Sequence, residues 1–253
     1  MNLPEVFYRV PFAHRGFHDV AEGRPENSRA AFRAALAAGY GIELDVQLSS
    51  DGAAMVFHDY DLDRLTGQKG AVRLRGAADL SAIRLRGGDE GIPDLPEILQ
   101  LVGGRAPMLI EVKDQDGAMG PDVGPLERAV AAALEGYQGP VALMSFNPHS
   151  VACLAELAPR IPRGIVTSAY RYDDWPLPAA TCDHLRDVPD YARTGACFIS
   201  HEVDDLDRGR VAELKAQGAM ICCWTVTSAM QEAKARQIAH NITFEQYAAA
   251  VDA

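Results

Sequence analysis

The chain has 253 residues, a formal net charge of -11, 48% hydrophobic residues and 23% charged residues. These proportions are ordinary for a globular protein and argue against disorder. The acidic balance argues against a nucleic-acid backbone as the main partner, because binding to that backbone normally needs a basic surface. A small phosphate ester remains compatible, since a few local lysines and arginines, or a metal, can hold it.

The cysteines are five in number and lack the spacing of metal ligands, such as C-x-x-C, so we expect reduced thiols in the core. The first residues do not resemble a leader peptide, and no apolar run reaches the length that spans a bilayer. We therefore expect a cytoplasmic protein without stable membrane insertion. Whether the chain forms a homo-oligomer is left open by the sequence.

Short apolar runs alternate with alanine-rich stretches along the chain, which is typical of parallel strands joined by helices. Polar residues at several predicted strand ends favour a TIM (β/α)8 barrel over a doubly wound open sheet. Barrels of this length commonly form one domain, so we expect a single domain over residues 1–253. Eight strands are predicted, at 11–15, 41–47, 54–58, 108–113, 141–145, 164–168, 197–201 and 220–226. A ninth short run, at 241–244, would close the barrel if one of the eight has another role. Helices are predicted at 29–38, 125–134, 150–157 and 207–217, with Asn27 or Ser28 as the cap of the first.

The interval after residue 45 is too short for a helical crossover and carries a tight-turn signal at Asp51 and Gly52. A hairpin centred on these two residues pairs positions whose numbers sum to about 103, which places His58 beside Asp45. The stretch from about 61 to 95 is rich in arginine and glycine and has weak periodicity. We expect it to be a small insertion beside the barrel mouth, after the third strand.

Two strand-like segments place charged side chains two residues apart: Glu43 with Asp45, and Glu111 with Lys113. Because side chains alternate faces along a strand, each pair points one way and its apolar neighbours point to the side that a barrel covers with helices. Three carboxylates and a lysine are therefore expected in one cavity. Oxygen ligands without thiols or a histidine cluster suit Mg²⁺ or Ca²⁺ better than Zn²⁺. The alternative is a solvated outer face, or a set of structural ion pairs with Lys113.

Two histidines stand at the ends of predicted strands: His14, which precedes Arg15, and His58, which precedes Asp59. Imidazoles move protons near neutral pH, so the two histidines form a candidate acid and base for cleaving a phosphoester. The Arg15 guanidinium is a planar fork that suits phosphate oxygens. The plainer alternative for each histidine is packing, or a structural hydrogen bond at the strand end.

Weaker candidates lie on the later strands. Trp224 either lines the pocket or fills the core. His201 and Glu202 end the seventh predicted strand, where barrel enzymes display functional side chains, so contact with a substrate is considered for both.

Taken in order, the motifs of the chain resemble the glycerophosphodiester phosphodiesterase family, a branch of the phospholipase C-like phosphodiesterases. The motifs are His14-Arg15-Gly16, Pro25-Glu26-Asn27-Ser28, Glu43-Leu44-Asp45-Val46, His58-Asp59, Arg64-Leu65-Thr66-Gly67, Leu95-Pro96-Glu97, Glu111-Val112-Lys113, Ser145-Phe146-Asn147 and Trp224-Thr225-Val226. The segment 239–245 departs from the family, which often has a glycine- and aspartate-containing segment there. That departure puts the late wall of the pocket in question.

The resemblance implies a TIM barrel that hydrolyses glycerophosphodiesters to sn-glycerol 3-phosphate and an alcohol with the help of a divalent cation. By analogy with related phosphodiesterases, it implies that the glycerol 2-hydroxyl attacks phosphorus and forms a cyclic phosphate that water then opens. The roles it implies are acid-base catalysis for His14 and His58, metal binding for Glu43, Asp45 and Glu111, and phosphate or substrate contacts for Arg15, Lys113 and Trp224.

Two other functions are weighed against this one. A lysophospholipase D-like activity on lipids that retain one acyl chain would need an apolar groove at the mouth, for which Phe17, Trp175 and Trp224 are weak signals. A non-catalytic barrel that binds phosphate esters would be indicated by loss of a histidine or carboxylate from the set, and none is missing.

Overall fold

The computed structural model describes residues 3–251 and contains, within them, one sheet of nine strands. The strands are β1 (Phe12–Ala13), β2 (Gly41–Leu48), β3 (Ala54–Val56), β4 (Met108–Val112), β5 (Val141–Ser145), β6 (Arg163–Thr167), β7 (Phe198–Glu202), β8 (Met220–Val226) and β9 (Asn241–Phe244). The α-helices are α1 (Val6–Arg9), α2 (Arg29–Ala38), α3 (Ala77–Ala82), α4 (Leu95–Val102), α5 (Pro125–Ala133), α6 (Pro148–Leu157), α7 (Ala179–Arg186), α8 (Gly209–Ala216) and α9 (Ala229–Ala235).

Eight parallel strands close into a barrel, with helices between successive strands, which confirms the predicted TIM fold. The barrel closes because β1 pairs with β2 on one side and with β9 on the other. The short run at 241–244 is therefore the closing strand. The helix α2 has the predicted bounds, and its cap is Ser28, whose Oγ accepts a hydrogen bond from Ala31 N at 3.1 Å.

The strand β3 is not a barrel strand, although the sequence placed its segment among the eight. It pairs antiparallel with β2 and lies beside the barrel. The register also differs from the prediction by one residue, since Phe57 rather than His58 lies opposite Asp45 and donates its N–H to the Asp45 carbonyl at 3.0 Å. The turn has three residues rather than two, because Ser49 N already bonds to Ala53 O and Gly52 takes a positive φ of 86°.

The barrel strands separate two cores. Their outward side chains, such as Leu44 and Ile110, pack under the helices. The inward side chains near the amino ends of the strands form a second apolar cluster, and Phe7 of α1 packs against it. A side chain at Gly164 would lie 2.5 Å from the ring of Phe198, so this glycine makes room for a large aromatic inside the barrel.

The chain between β3 and α4, where the insertion was expected, contains α3 and packs against Met55 of β3. Phe57, Leu62, Leu80 and Ile92 are buried in a cluster of their own, which holds this excursion against the barrel. Its importance for the site is that it brings Arg64 to the barrel mouth, as described below. Across residues 3–251, the helices are all too short or too polar to cross a membrane.

Candidate active site

A cavity lies at the carboxyl ends of the barrel strands, the end at which barrel enzymes carry their active sites. The structure brings to its wall all eight residues to which the family resemblance assigns roles. They are His14, Arg15, Glu43, Asp45, His58, Glu111, Lys113 and Trp224.

Three buried carboxylates form the acidic wall. Asp45 on β2 lies directly opposite Glu111 on β4, and Glu43 precedes Asp45 by two residues on the same face. One oxygen of each lies within 4.8 Å of the others, and the three residues are 2%, 1% and 7% exposed in chain order. The Lys113 ammonium donates to Asp45 Oδ1 at 2.8 Å and to Glu111 Oε1 at 2.6 Å. One lysine does not balance three carboxylates, so their mutual repulsion acts against ionisation of all three.

The pKa values of the acidic wall follow from burial and from charge. Burial raises the pKa of Glu43 well above its ordinary value, and the neighbouring carboxylates of Asp45 and Glu111 raise it further. Burial also acts to raise the pKa of Asp45, but the Lys113 ammonium and other nearby cations outweigh it and hold that pKa far below its ordinary value. A hard divalent cation fits this donor set, because it takes oxygen ligands and would relieve the repulsion that raises the pKa of Glu43.

Arg15 is anchored to the acidic wall by its backbone and its side chain. Its backbone N–H donates to Glu43 Oε2 at 2.9 Å, and its Nε lies 3.5 Å from Asp45 Oδ2. The next residue must be glycine, because Gly16 has a φ of 81° and a side chain there would come within 2.9 Å of Ala31. The close packing of this turn on α2 therefore fixes the guanidinium at the cavity.

Asn27 was predicted as a possible helix cap, but its side chain contacts the acidic wall instead. Its Nδ2 donates to Asp45 Oδ2 at 2.9 Å, and the residue is buried, with 1% of its surface exposed. The available signal was the motif at residues 25–28, which forms part of the family resemblance. Asn27 thus holds the most central carboxylate of the wall in one orientation.

His58 is oriented by a local carboxylate. Its Nδ1 lies 2.6 Å from Asp59 Oδ1, and Arg64 from the insertion donates to both Asp59 oxygens at 2.7 and 2.8 Å. Burial acts to raise the pKa of Asp59, but hydrogen bonds from His58 and Arg64 outweigh it and lower that pKa. Arg64 also donates to Glu26, which accepts a hydrogen bond from Arg15 at 2.7 Å. A continuous network therefore joins the histidine after β3 to the arginine after β1.

His14 is oriented by a distant carboxylate that the sequence analysis did not select. Its Nδ1 lies 2.6 Å from Glu245 Oε2, and His18 Nε2 lies 3.4 Å from the same oxygen. Burial lowers the pKa of His14, although the hydrogen bond with Glu245 acts in the opposite direction. The available signal was position: Glu245 directly follows β9, at the same end of the barrel as the other charged side chains.

The far wall of the cavity is aromatic. Trp224 lines it rather than filling the core, and its Nε1–H donates to the Ser200 carbonyl at 3.0 Å. The ring packs edge-to-face on Phe146, with centroids 5.4 Å apart, and Trp175 lies beyond Phe146 at 5.1 Å. His201 does not line the cavity, because its ring is buried against Thr167 Oγ1 at 2.7 Å on the other side of the strand.

Residues 14–243 match the sequence model of the Glycerophosphoryl diester phosphodiesterase family. The chain belongs to this family. The resemblance drawn from its motifs is thereby confirmed.

Individual relatives agree with this placement. A glycerophosphodiester phosphodiesterase of Bacillus altitudinis is 35% identical over 170 residues, which are 62% of this chain and 65% of that protein, slightly less than two thirds of its length. A glycerophosphodiester phosphodiesterase of Caldanaerobacter subterraneus is 31% identical over 172 residues, 64% of this chain and 68% of the relative. The fold is similar to that of an Oleispira antarctica phosphodiesterase in complex with the product sn-glycerol-3-phosphate, with a TM-score of 0.77, 23% identity and 94% of both chains covered.

Proposed function

We propose that the protein hydrolyses glycerophosphodiesters to sn-glycerol 3-phosphate and an alcohol in this cavity, with a divalent cation held by Glu43, Asp45 and Glu111. The observation that carries the proposal is the convergence of three buried carboxylates, two oriented imidazoles and two cationic side chains on one wall. Membership of the family supports the reaction class.

The donor set supports Mg²⁺ or Ca²⁺, because every ligand would be a carboxylate oxygen. When bound, such a cation acts as a Lewis acid that stabilises negative charge on the reacting oxygens. Lys113 and Arg15 already hold Asp45 and face the same cavity, so we propose that both contact the phosphate. Their charges would offset part of the negative charge that the substrate brings to an acidic wall.

The two histidines carry the proton transfers in this proposal. Each has its Nδ1 engaged by a carboxylate, which leaves Nε2 to exchange a proton with the substrate. One imidazole removes the proton of the glycerol 2-hydroxyl as the new O–P bond forms, and the other protonates the alcohol oxygen as its P–O bond breaks. Water then opens the cyclic phosphate with the two roles exchanged, so protons balance over the cycle.

The test is hydrolysis of glycerophosphocholine and glycerophosphoethanolamine, followed by phosphorus NMR as sn-glycerol 3-phosphate appears. We expect EDTA to abolish the reaction, Mg²⁺ or Ca²⁺ to restore it, and a His14→Ala, His58→Ala double variant to be inactive in either cation. A His184→Ala variant is the matched control, since this exposed histidine pairs with Asp190 away from the cavity. Full activity of the double variant would overturn the proposal.

A second candidate function is a lysophospholipase D-like reaction at the same cavity. It is favoured by the aromatic wall of Phe146, Trp175 and Trp224, which offers apolar surface beside the charged groups. Comparing lysophosphatidylcholine with glycerophosphocholine decides between the two. Faster hydrolysis of the lysolipid, with this preference lost in Trp175→Ala, would support the second candidate. An equal loss of activity on both substrates in Trp175→Ala would count against it.

We also propose that the protein resides in a reducing compartment, the cytoplasm. The five cysteines are free thiols, and burial raises the pKa of Cys222 to about 12, so this side chain stays protonated and unreactive. Free buried thiols are usual where disulfides do not form. Mass spectrometry of the protein from its source cells, with and without thiol alkylation under denaturing conditions, should find all five cysteines reduced.

A further inference from the structure

We infer that Glu245 is a positioning residue for the proposed reaction: its carboxylate fixes the His14 imidazole as the tautomer with the proton on Nδ1, and so leaves Nε2 free for proton transfer. The inference rests on the proposed function, in which His14 exchanges a proton with the substrate.

Barrel closure places the two residues side by side. Ala13 of β1 lies in register with Phe244 of β9, so His14 and Glu245 are the next residues on neighbouring strands. His14 N donates to the Phe244 carbonyl at 2.9 Å, which continues the pairing by one residue. The contact of Nδ1 with Glu245 Oε2, at 2.6 Å, therefore joins side chains whose backbones are held together.

The charge of Glu245 decides which ring nitrogen carries the proton. Its hydrogen bonds with His14 and His18 lower the pKa of Glu245, so the carboxylate is ionised near neutral pH. An ionised carboxylate only accepts hydrogen bonds, so Nδ1 of His14 must be the donor. The neutral imidazole then has its unprotonated nitrogen at Nε2, on the opposite side of the ring from Glu245.

Glu245 is itself held in place. Its backbone N–H donates to the Val226 carbonyl at 3.0 Å, and its Oε1 accepts from Gln246 Nε2 at 3.2 Å. His18 approaches Oε2 from the other side at 3.4 Å. The carboxylate is therefore a fixed acceptor, as a group that orients an imidazole needs to be.

The second imidazole has the same arrangement from a different source. His58 receives its carboxylate from the next residue in the chain, Asp59. The residue after His14 is Arg15, which has no carboxylate and whose side chain lies beside Asp45. The carboxylate that contacts His14 therefore comes from another strand. Both histidines of the cavity thus have Nδ1 on a carboxylate oxygen at 2.6 Å. This parallel points to a shared requirement for orientation.

The first test is spectroscopic and does not depend on activity. Long-range ¹⁵N–¹H correlation spectra of ¹⁵N-histidine-labelled protein at alkaline pH report the tautomer of each ring, with His14 assigned by its absence in His14→Asn. We expect the Nδ1–H tautomer for His14, and its loss in Glu245→Ala. An Nε2–H tautomer in the unmodified protein would overturn the inference. Because the His14, His18 and Glu245 atoms are also close enough to hold a metal, the spectra are recorded after chelation.

The second test separates positioning from binding. In Glu245→Ala we expect kcat to fall about 10- to 100-fold, a part of what acid-base catalysis supplies. KM should stay nearly unchanged, since Glu245 does not line the cavity. Glu245→Gln keeps an acceptor without the charge and should lose less, and it also serves if the alanine variant fails to fold. Glu22→Gln, an exposed carboxylate on the same loop as His18, is the control without effect.

The outcomes of the two tests are distinct. If Glu245→Ala is folded and keeps its kcat while His14→Ala is inactive, the positioning role is wrong and the proposed function stands. If the unmodified protein cleaves no glycerophosphodiester, the proposed function is wrong, and the tautomer spectra still decide whether Glu245 orients His14.

Discussion

The interior of the barrel has two layers, one apolar near the amino ends of the strands and one charged near their carboxyl ends. The same strands supply both. Phe12 is followed two residues later by His14, and Leu109 is followed two residues later by Glu111. Because residues two apart point to the same face, a strand that carries one large apolar side chain and then one charged side chain builds both layers. Packing and chemistry are therefore separated by about 7 Å along each strand, and they are not assigned to different elements.

The largest effect should come from the charged layer. Glu111→Gln removes one carboxylate of the proposed cation site, so we expect kcat/KM to fall about 1,000-fold, the scale of several kcal/mol of lost charge stabilisation. The free energy of unfolding without cation should change little, because glutamine keeps an acceptor oxygen for Lys113, Lys113 stays paired with Asp45, and the repulsion of Glu43 is relieved. Phosphate-release kinetics and urea unfolding measure the two quantities. A large loss of stability with activity retained would place Glu111 in the packing layer instead.

In the apolar layer, Phe198→Ala should lower the free energy of unfolding by about 3–5 kcal/mol, the cost of a large cavity in a packed core. The ring is fully buried in the apolar cluster and does not line the cavity. We therefore expect kcat to remain nearly unchanged at temperatures where the variant is folded. Phe198→Leu is the conservative control and should cost less. Loss of activity in a stable Phe198→Ala protein would show that the layers are coupled.

Gly164→Ala tests the packing of the apolar layer from the opposite direction. The new methyl group would lie 2.5 Å from the Phe198 ring. Overpacking of this kind costs about 1–3 kcal/mol. Combining Gly164→Ala with Phe198→Leu should relieve part of the clash, so the two losses in unfolding free energy should not add. Strict additivity of the two changes would contradict direct contact.

The smallest expected effect lies outside both layers. Burial lowers the pKa of His201, so the folded state resists its protonation while the unfolded state does not. Stability from His201 is therefore fully present above the unfolded pKa of about 6.5 and is lost as the pH falls below it towards the lower folded value, by at most about 1.4 kcal/mol per pH unit. In His201→Gln the unfolding free energy should decline less between pH 7.5 and 5. An identical decline in both proteins would assign the pH dependence to other groups.

The sequence predicted the charged layer and the core under the helices, because both follow from alternation along one strand, but it did not predict the apolar layer inside the barrel. Glu43 and Asp45 face the cavity, and Leu44 packs under the helices. These directions can be predicted from the alternation of side chains along a strand alone. The sequence did not predict the register of the hairpin, because one extra turn residue shifts every pair. Nor did it predict the contact of Glu245 with a histidine near the other end of the chain, since that contact exists only once the barrel has closed.

The most direct test of the charged layer is crystallography with Mn²⁺ and sn-glycerol 3-phosphate, using data collected above and below the manganese absorption edge. Our account predicts one anomalous peak among the Glu43, Asp45 and Glu111 carboxylates, with the phosphate beside Arg15 and Lys113. The peak should be absent in Asp45→Asn. An anomalous peak confined to the His14, His18 and Glu245 cluster, or phosphate bound with no metal at the three carboxylates, would contradict it.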